Sequence, residues 1–305
     1  MTPPLIFDRS LLRAHRRRGL RLGPETFLLD RVAEDFADRL QAVVRRFDLA
    51  LDFGTPTAAV RAALLRNGAI STMIALDPII DATYLSGDHA ATVASRVVAD
   101  AEALPFADNV LDLVVSGLFL QAVNDLPGVL VQIRRALKPD GLLLAALLGG
   151  ETLTELRQSF AIAESELEGG VSPRVAPFPD LRDMGMLLQR AGFALPVTDV
   201  DRVTVRYVTP LALLRDLRRM GATNPLVERR RVPLRRTTLM RAMEAYAARF
   251  SDPDGKVRAS FDIIWLSGWS PHESQQQPLR PGSAKTRLAD ALGTTEIAAG
   301  EKPER

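Results

Sequence analysis

Leu49-Ala-Leu-Asp-Phe-Gly54, Thr72-Met-Ile-Ala-Leu-Asp77, Val97-Val-Ala-Asp100, Leu111-Asp-Leu-Val-Val-Ser116 and Leu142–Leu148 are short, nearly continuous apolar runs. Amphipathic stretches separate several of them: Ala58–Arg66 places Ala59, Ala62 and Ala63 at helical spacing, and Leu126–Leu137 is a second helical stretch. Lys138-Pro-Asp-Gly141 reads as a turn that stops that helix and launches the Leu142 strand. Apolar strands alternating with helices imply a parallel sheet covered on both faces. The expected fold class is therefore α/β, a doubly wound, mostly parallel sheet, whose ligands sit beyond the carboxyl ends of the strands.

Outward from this core, residues 1–46 read as a helical N-terminal extension of two helices, the second from about Glu25 to Arg46. Residues 47–150 form the expected cofactor-binding core, and 151–269 the substrate or lid helices with the last strands. Helices are expected over Glu151–Leu167, Asp180–Ala191, Pro210–Gly221 and Thr237–Phe250. Phe193–Val208 holds one strand or two, and Phe261–Trp269 is a strong late strand with Trp265 and Trp269 on one face. Residues 270–305, rich in Gln, Pro, Ser and Ala, read as a mobile tail.

Composition narrows the chemistry. The 305 residues contain no cysteine, which excludes a disulfide scaffold, a zinc-thiolate site and a cysteine nucleophile. His15, His89 and His272 are the only imidazoles, too few for a histidine-rich metal site, so no metal is expected. A net charge of +2 gives little support to nucleic-acid binding. The longest apolar runs fall short of the roughly 20 residues needed to cross a bilayer. Arg9, Arg13 and Arg16–Arg18 mimic a transit peptide, but Asp8 and the shortness of the segment argue against one, and a cytoplasmic protein is expected.

Three strand ends carry acidic residues: Asp52-Phe-Gly54, Asp77, and Asp100-Ala101. Asp77 lies roughly 20 residues past the glycine turn, the distance one helix and one strand occupy. Each Asp alone also suits a plain strand end or helix cap. Together with Ala103-Leu-Pro-Phe106, Asp112-Leu-Val-Val115 and Leu137-Lys-Pro-Asp-Gly141, however, the order resembles the class I S-adenosylmethionine-dependent methyltransferases. That resemblance implies a seven-stranded Rossmann-like sheet with S-adenosylmethionine as cofactor. In that family the first loop approaches the methionine part, the acidic end of strand 2 binds the ribose hydroxyls, and an Asp after strand 3 meets the adenine. The expected cofactor residues are Asp52, Gly54, Asp77, Asp100, Ala101 and Gln121. The first loop departs from the family's run of glycines: Pro56 fixes φ and removes a donor, and Ala58 adds a methyl, both of which weaken the expected contact.

Further strings narrow the resemblance. Ile6-Phe-Asp-Arg9, Val123-Asn-Asp-Leu-Pro127, Gly149–Arg157, Glu168–Pro173, Leu188–Phe193, Met220–Asn224, Gly268–Gln275 and Pro281-Gly-Ser283 are similar to the complex I assembly-factor branch of that superfamily. That branch has a methyltransferase fold and hydroxylates an arginine of an iron–sulfur subunit. The likeness covers about residues 5–285, and it implies a role in respiratory complex I assembly and a protein partner, the iron–sulfur subunit at the inner face of the membrane. Leu120-Gln121-Ala122 stands where that branch carries a His-Trp pair. Two other readings stay open: a methyltransferase acting on a carboxylate or carrier-bound acyl group, and a non-catalytic assembly chaperone with a degenerate cofactor site. No nucleophile–base pair is evident, so catalytic residues are unassigned. Glu151, Glu155 and Arg157 could meet a substrate arginine or pair along a helix surface. Arg229–Arg231 with Arg235 and Arg236 could grip an acidic partner or form solvated surface. His272 and Glu273, with Gln275–Gln277, read as a docking segment rather than a metal site.

Overall fold

The computed structural model describes residues 5–66, 68–79, 95–276 and 288–295. Pro281-Gly-Ser283, Gln277, His89 and most of the expected tail lie outside them. The chain divides into two compact units, Met1–Pro271 and His272–Arg305; the second contains the short helix Leu288–Leu292, and all other elements belong to the first.

In chain order the first unit builds α1 (Arg9–Arg21), α2 (Phe27–Gln41), β1 (Phe47–Phe53), α3 (Ala59–Arg66), β2 (Ile70–Asp77) and β3 (Ser95–Val98). Next come β4 (Leu111–Gly117), α4 (Leu126–Ala136), β5 (Leu137–Gly149), α5 (Thr154–Leu167) and α6 (Leu181–Arg190). The unit closes with β6 (Ala194–Tyr207), α7 (Pro210–Arg219), α8 (Arg236–Phe250) and β7 (Val257–Trp269). The seven strands form one sheet in the order β3-β2-β1-β4-β5-β7-β6. Neighbours from β3 through β5 run parallel; β7 is antiparallel to both β5 and β6. The chain reverses direction across the sheet between β1 and β4, so a crevice opens beyond their carboxyl ends.

Burial follows the apolar periodicity. On α2, Leu28, Leu29, Val32, Ala33, Phe36 and Leu40 are buried at helical spacing. Most of that face joins α3 and one side of the sheet, where Phe36 meets Trp265 edge-on at 5.3 Å. Trp269 packs against the same cluster, so both tryptophans are core. On the other side, Val129, Leu130 and Ile133 of α4 and Met184 and Leu188 of α6 cover Leu51, Leu143 and Leu266. A third apolar cluster joins α5, α7 and α8 to Phe261 and Leu28.

Among the boundaries that differ from the sequence reading, three have a local physical reason. α2 ends at Gln41 rather than Arg46, because the chain must turn for Phe47 N to reach Ala69 O at 2.8 Å and start β1. Lys138–Gly141 is not a turn ahead of the strand but a bulge inside β5: Leu111 pairs with Leu137 and Leu113 already with Leu142, while Asp140 takes φ +61°. Lys138 then reaches back to Asp112 at 2.9 Å. Phe193–Val208 resolves into the single strand β6; Pro196 is tolerated because β6 is an edge strand, and the register slips between Ala194 and Val197 beside it.

Glu155 neither faces a ligand nor pairs along its helix. It is buried and accepts from Ser260 N (3.1 Å) and Ser260 Oγ (2.6 Å), tying α5 to β7. Three of the five arginines in the 229–236 run are likewise internally paired: Arg229 with Asp8, and Arg230 and Arg235 with Glu168. Asp262 accepts from Arg202 Nε at 2.7 Å and from Glu151 N at 3.1 Å, and the guanidinium holds its carboxyl below the usual range of 3.8. A carboxyl depressed in the folded state contributes stability that is complete above its unfolded pKa and is lost as pH falls through the folded value. Acid titration of the melting temperature below pH 4 is therefore expected to be shallower in Asp262→Asn than in the parent, and equal slopes would remove Asp262 from that linkage.

Candidate functional site

Where β1 ends, Asp52 is fully buried and its carboxylate is shared by two donors, the Arg61 guanidinium from α3 and Thr55 Oγ1. Burial pushes the Asp52 carboxyl upward and the Arg61 charge opposes it. Thr55 Oγ1 also accepts from Gly117 N at 3.1 Å, Ser116 Oγ donates to Phe53 O at 2.8 Å, and Gly54 N donates to Leu76 O at 2.8 Å. The first loop is thus pinned to β4 and α3 by side-chain bonds and to β2 by a backbone bond. Among residues 54–58 only Gly54 has a positive φ, +73°, so the backbone needs glycine at that one place and accepts Thr55, Pro56, Thr57 and Ala58 after it. A Cβ on Gly54 would sit 2.2 Å from Phe119 Cδ1.

The other acidic strand ends are held by arginines from α1. Asp77 Oδ1 accepts from Ile79 N at 2.9 Å, and its Oδ2 lies 3.6 Å from Arg16 Nη2. Asp100 Oδ1 accepts from Glu102 N at 2.9 Å and pairs with Arg9, whose guanidinium lowers the carboxyl's pKa. Both carboxylates therefore close an Asx turn and also meet a cation. Arg9, Arg13 and Arg16 recur at i, i+4 and i+7, one face of α1, and that spacing was visible before any coordinates. Sequence reasoning missed their part in the site by weighing them only as the mimic of a transit peptide.

A cavity of about 840 Å³ lies beneath α1, near the upper end of ordinary ligand sites. Asp100, Ala101 and Gln121 line it, with Pro56 and Thr57 of the first loop; Asp52, Gly54 and Asp77 are not lining residues. Its far end is apolar, with Leu153, Leu156, Phe160, Phe178, Leu217 and Phe261. Among the described lining residues are six arginines and three carboxylates. Each carboxylate has a partner: Glu25 with Arg219 at 2.8 Å, Asp100 with Arg9, and Glu102 with Asn124 N at 2.9 Å. Two buried lining atoms lack any hydrogen-bond partner, Arg16 Nη1 and Gln121 Oε1. Among the described residues no group of three or more His, Asp or Glu side chains is placed to hold a metal, and no helix is long and apolar enough to cross a membrane.

These residues fit an adenosyl cofactor bearing an amino acid. Asp100 lines the cavity with Ala101 and Gln121, a glycine stands where the backbone allows no Cβ, and two lining residues, Arg16 and Gln121, carry a buried donor and a buried acceptor without a partner.

Comparison with known proteins agrees with the geometry. A family model described as a methyltransferase domain matches residues 51–145. Arginine-hydroxylase NDUFAF5 of Danio rerio is 38% identical over 288 residues, 93% of this chain and 89% of that protein. A malonyl-[acyl-carrier protein] O-methyltransferase of Laribacter hongkongensis is 33% identical over 293 residues, 92% of this chain and 96% of that one. A solved Bacillus halodurans protein assigned as a methyltransferase shares the fold, at TM-score 0.53 and 16% identity over 78% of this chain and 99% of its own. A sheet of this order with its cavity beyond β1 and β4, and a likeness that extends well past the matched domain, have one common source: the chain belongs to the S-adenosylmethionine-dependent methyltransferase family, in the group that includes the NDUFAF5 arginine hydroxylases.

Proposed function

We propose that the cavity beneath α1 binds S-adenosylmethionine and that the protein acts in respiratory complex I assembly, hydroxylating an arginine of an iron–sulfur subunit. The supporting observation is that the likeness to NDUFAF5 covers 93% of the chain, far beyond the matched core of 51–145, and so includes the helices α5, α7 and α8 that close the apolar end of the cavity. Asp100 and Ala101 would hold the adenine, Asp77 the ribose, and Gln121 with the Gly54–Thr57 loop the methionine end, while Asp52 fixes that loop from behind. When bound, the cofactor supplies an electrophilic sulfonium. Residues 151–269 act as the substrate lid, because α5, α7 and α8 close the apolar end of the cavity. Hydroxylation replaces an arginine C–H by C–OH; it balances as a monooxygenation in which dioxygen supplies the inserted oxygen and an external two-electron donor with two protons reduces the other oxygen to water.

Deleting the gene and measuring the mass of the subunit's arginine-bearing peptide tests this directly. The expected result is loss of one oxygen atom from that peptide, restored by the parent gene and not by Asp77→Ala. An unchanged mass would sink the hydroxylase reading.

A second reading, methyl transfer to the carboxylate of a carrier-bound acyl group, is favoured by the cavity's charge. Six arginines around an apolar chamber suit an anion on an apolar chain better than a guanidinium. Transfer of labelled methyl to a malonyl carrier protein would establish it. A folded protein that binds no cofactor at millimolar concentration would instead be a non-catalytic assembly chaperone.

A further inference from the structure

The geometry points to Arg16 as the anchor for the carboxylate of the cofactor's amino-acid end, with Gln121 as the acceptor for its ammonium; this rests on the cofactor reading above. Arg16 lies outside the α/β core and is delivered by α1, whose seat is rigid. Phe7 bridges to Leu226, Asp8 N donates to Pro225 O at 2.8 Å, and the His15 ring meets Thr223 O at 3.2 Å. Gly19 packs so tightly that a Cβ would lie 2.5 Å from Arg219 O. A helix held this way cannot swing its arginine freely.

The guanidinium is only half used. Nη2 donates to Gly54 O at 3.0 Å and lies 3.6 Å from Asp77 Oδ2, and Cζ stands 5.3 Å from the centre of the Phe119 ring. Nη1 is buried and has no partner. Leaving a buried charged donor unsatisfied is costly, so an acceptor belongs there. The second orphan in the lining has the opposite polarity. Gln121 Nε2 donates to Leu118 O at 2.8 Å, which fixes the amide's orientation and leaves Oε1, an acceptor, buried and unpaired. One free donor on a cation and one free acceptor on a neutral amide complement a carboxylate and an ammonium on the same carbon. The loop carbonyl that Arg16 already holds belongs to Gly54, at the strand end expected to approach the methionine part. Asp77, the other group facing this guanidinium, is left to the ribose hydroxyls.

The test compares two ligands by calorimetric titration. S-adenosylhomocysteine carries the amino-acid end; 5′-methylthioadenosine has the nucleoside and thioether without it. Arg16→Gln is expected to weaken S-adenosylhomocysteine roughly 10- to 100-fold, the range of a charge-assisted hydrogen bond, while methylthioadenosine changes less than about twofold. Arg16→Lys should recover part of the loss, and the retained methylthioadenosine binding reports that each variant is folded. Equal losses for both ligands, or no loss for either, would overturn the assignment. Tighter binding of both would overturn it too, by showing that Arg16 competes with the nucleoside for Asp77. A parent protein that binds neither ligand defeats the cofactor reading, and the assignment with it.

Discussion

Asp52→Ala is expected to cost about 3–5 kcal/mol of folding stability, the range for breaking a buried ion pair by removing one of its members. Asp52 has no solvent exposure and Arg61 only 2%, so no water can replace the lost carboxylate. The same change removes the acceptor of Thr55 Oγ1, the hydroxyl that receives Gly117 N, and so frees the first loop from β4 as well as from α3. At roughly 2–4 °C per kcal/mol for a unit of this size, the melting temperature should fall by about 10 °C. Asp52→Asn keeps the shape but not the charge and should behave similarly. Replacing both partners, Asp52→Leu with Arg61→Met, should recover much of the loss, because an apolar pair of like volume has no desolvation to repay. Thermal melts of the four proteins decide it: Asp52→Ala melting within about 2 °C of the parent would mean that the pair does not hold β1 to α3. S-adenosylhomocysteine affinity should fall in the single variants, since the loop they release is the floor beneath Arg16 and Gly54.

This network explains what could be read from the residues and what could not. Continuous apolar runs and period-3.6 patterns are local properties, so β1, β2, β4 and the helices α3, α4, α6 and α8 appear within about two residues of their expected ends. The acidic strand ends were legible for the same reason, because Asp77 and Asp100 close Asx turns at fixed offsets from their strands. The reach of Arg9 and Arg16 was not. Arg16 contacts Gly54 and Asp77, partners 38 and 61 positions along the chain, and no local pattern encodes a pairing set by where α1 docks. Nor was the loop's tolerance of Pro56 and Ala58 legible. A missing glycine reads as a defect until Thr55, Asp52 and Arg61 are seen to hold the turn with only Gly54 at positive φ. The bulge at Lys138–Gly141 escaped because a Lys-Pro-Asp-Gly string has the chemistry of a turn whether it precedes a strand or interrupts one.

Gly54→Ala is expected to abolish measurable S-adenosylhomocysteine binding and to destabilise the fold by about 2–5 kcal/mol, combining strain at positive φ with overpacking. The two causes are separable. At φ +73° any Cβ meets its own backbone, at roughly 1–2 kcal/mol. The new methyl also lies 2.2 Å from Phe119 Cδ1 and 2.5 Å from Cγ and Cε1, which no ring rotation about its own axis relieves. Phe119 cannot retreat without loss, because it packs edge-on against Phe53 at 5.4 Å and lies under the Arg16 guanidinium. Displacing the ring therefore moves Arg16, which couples a change on β1 to the cavity's charge. Phe119→Ala removes the obstacle but not the strain, so Gly54→Ala with Phe119→Ala should be less destabilised than the sum of the single changes, by about 1–3 kcal/mol of coupling. Urea melts of the parent, both single variants and the double variant measure that coupling. Strict additivity would mean the ring yields freely, and Gly54 would then be required for its backbone conformation alone.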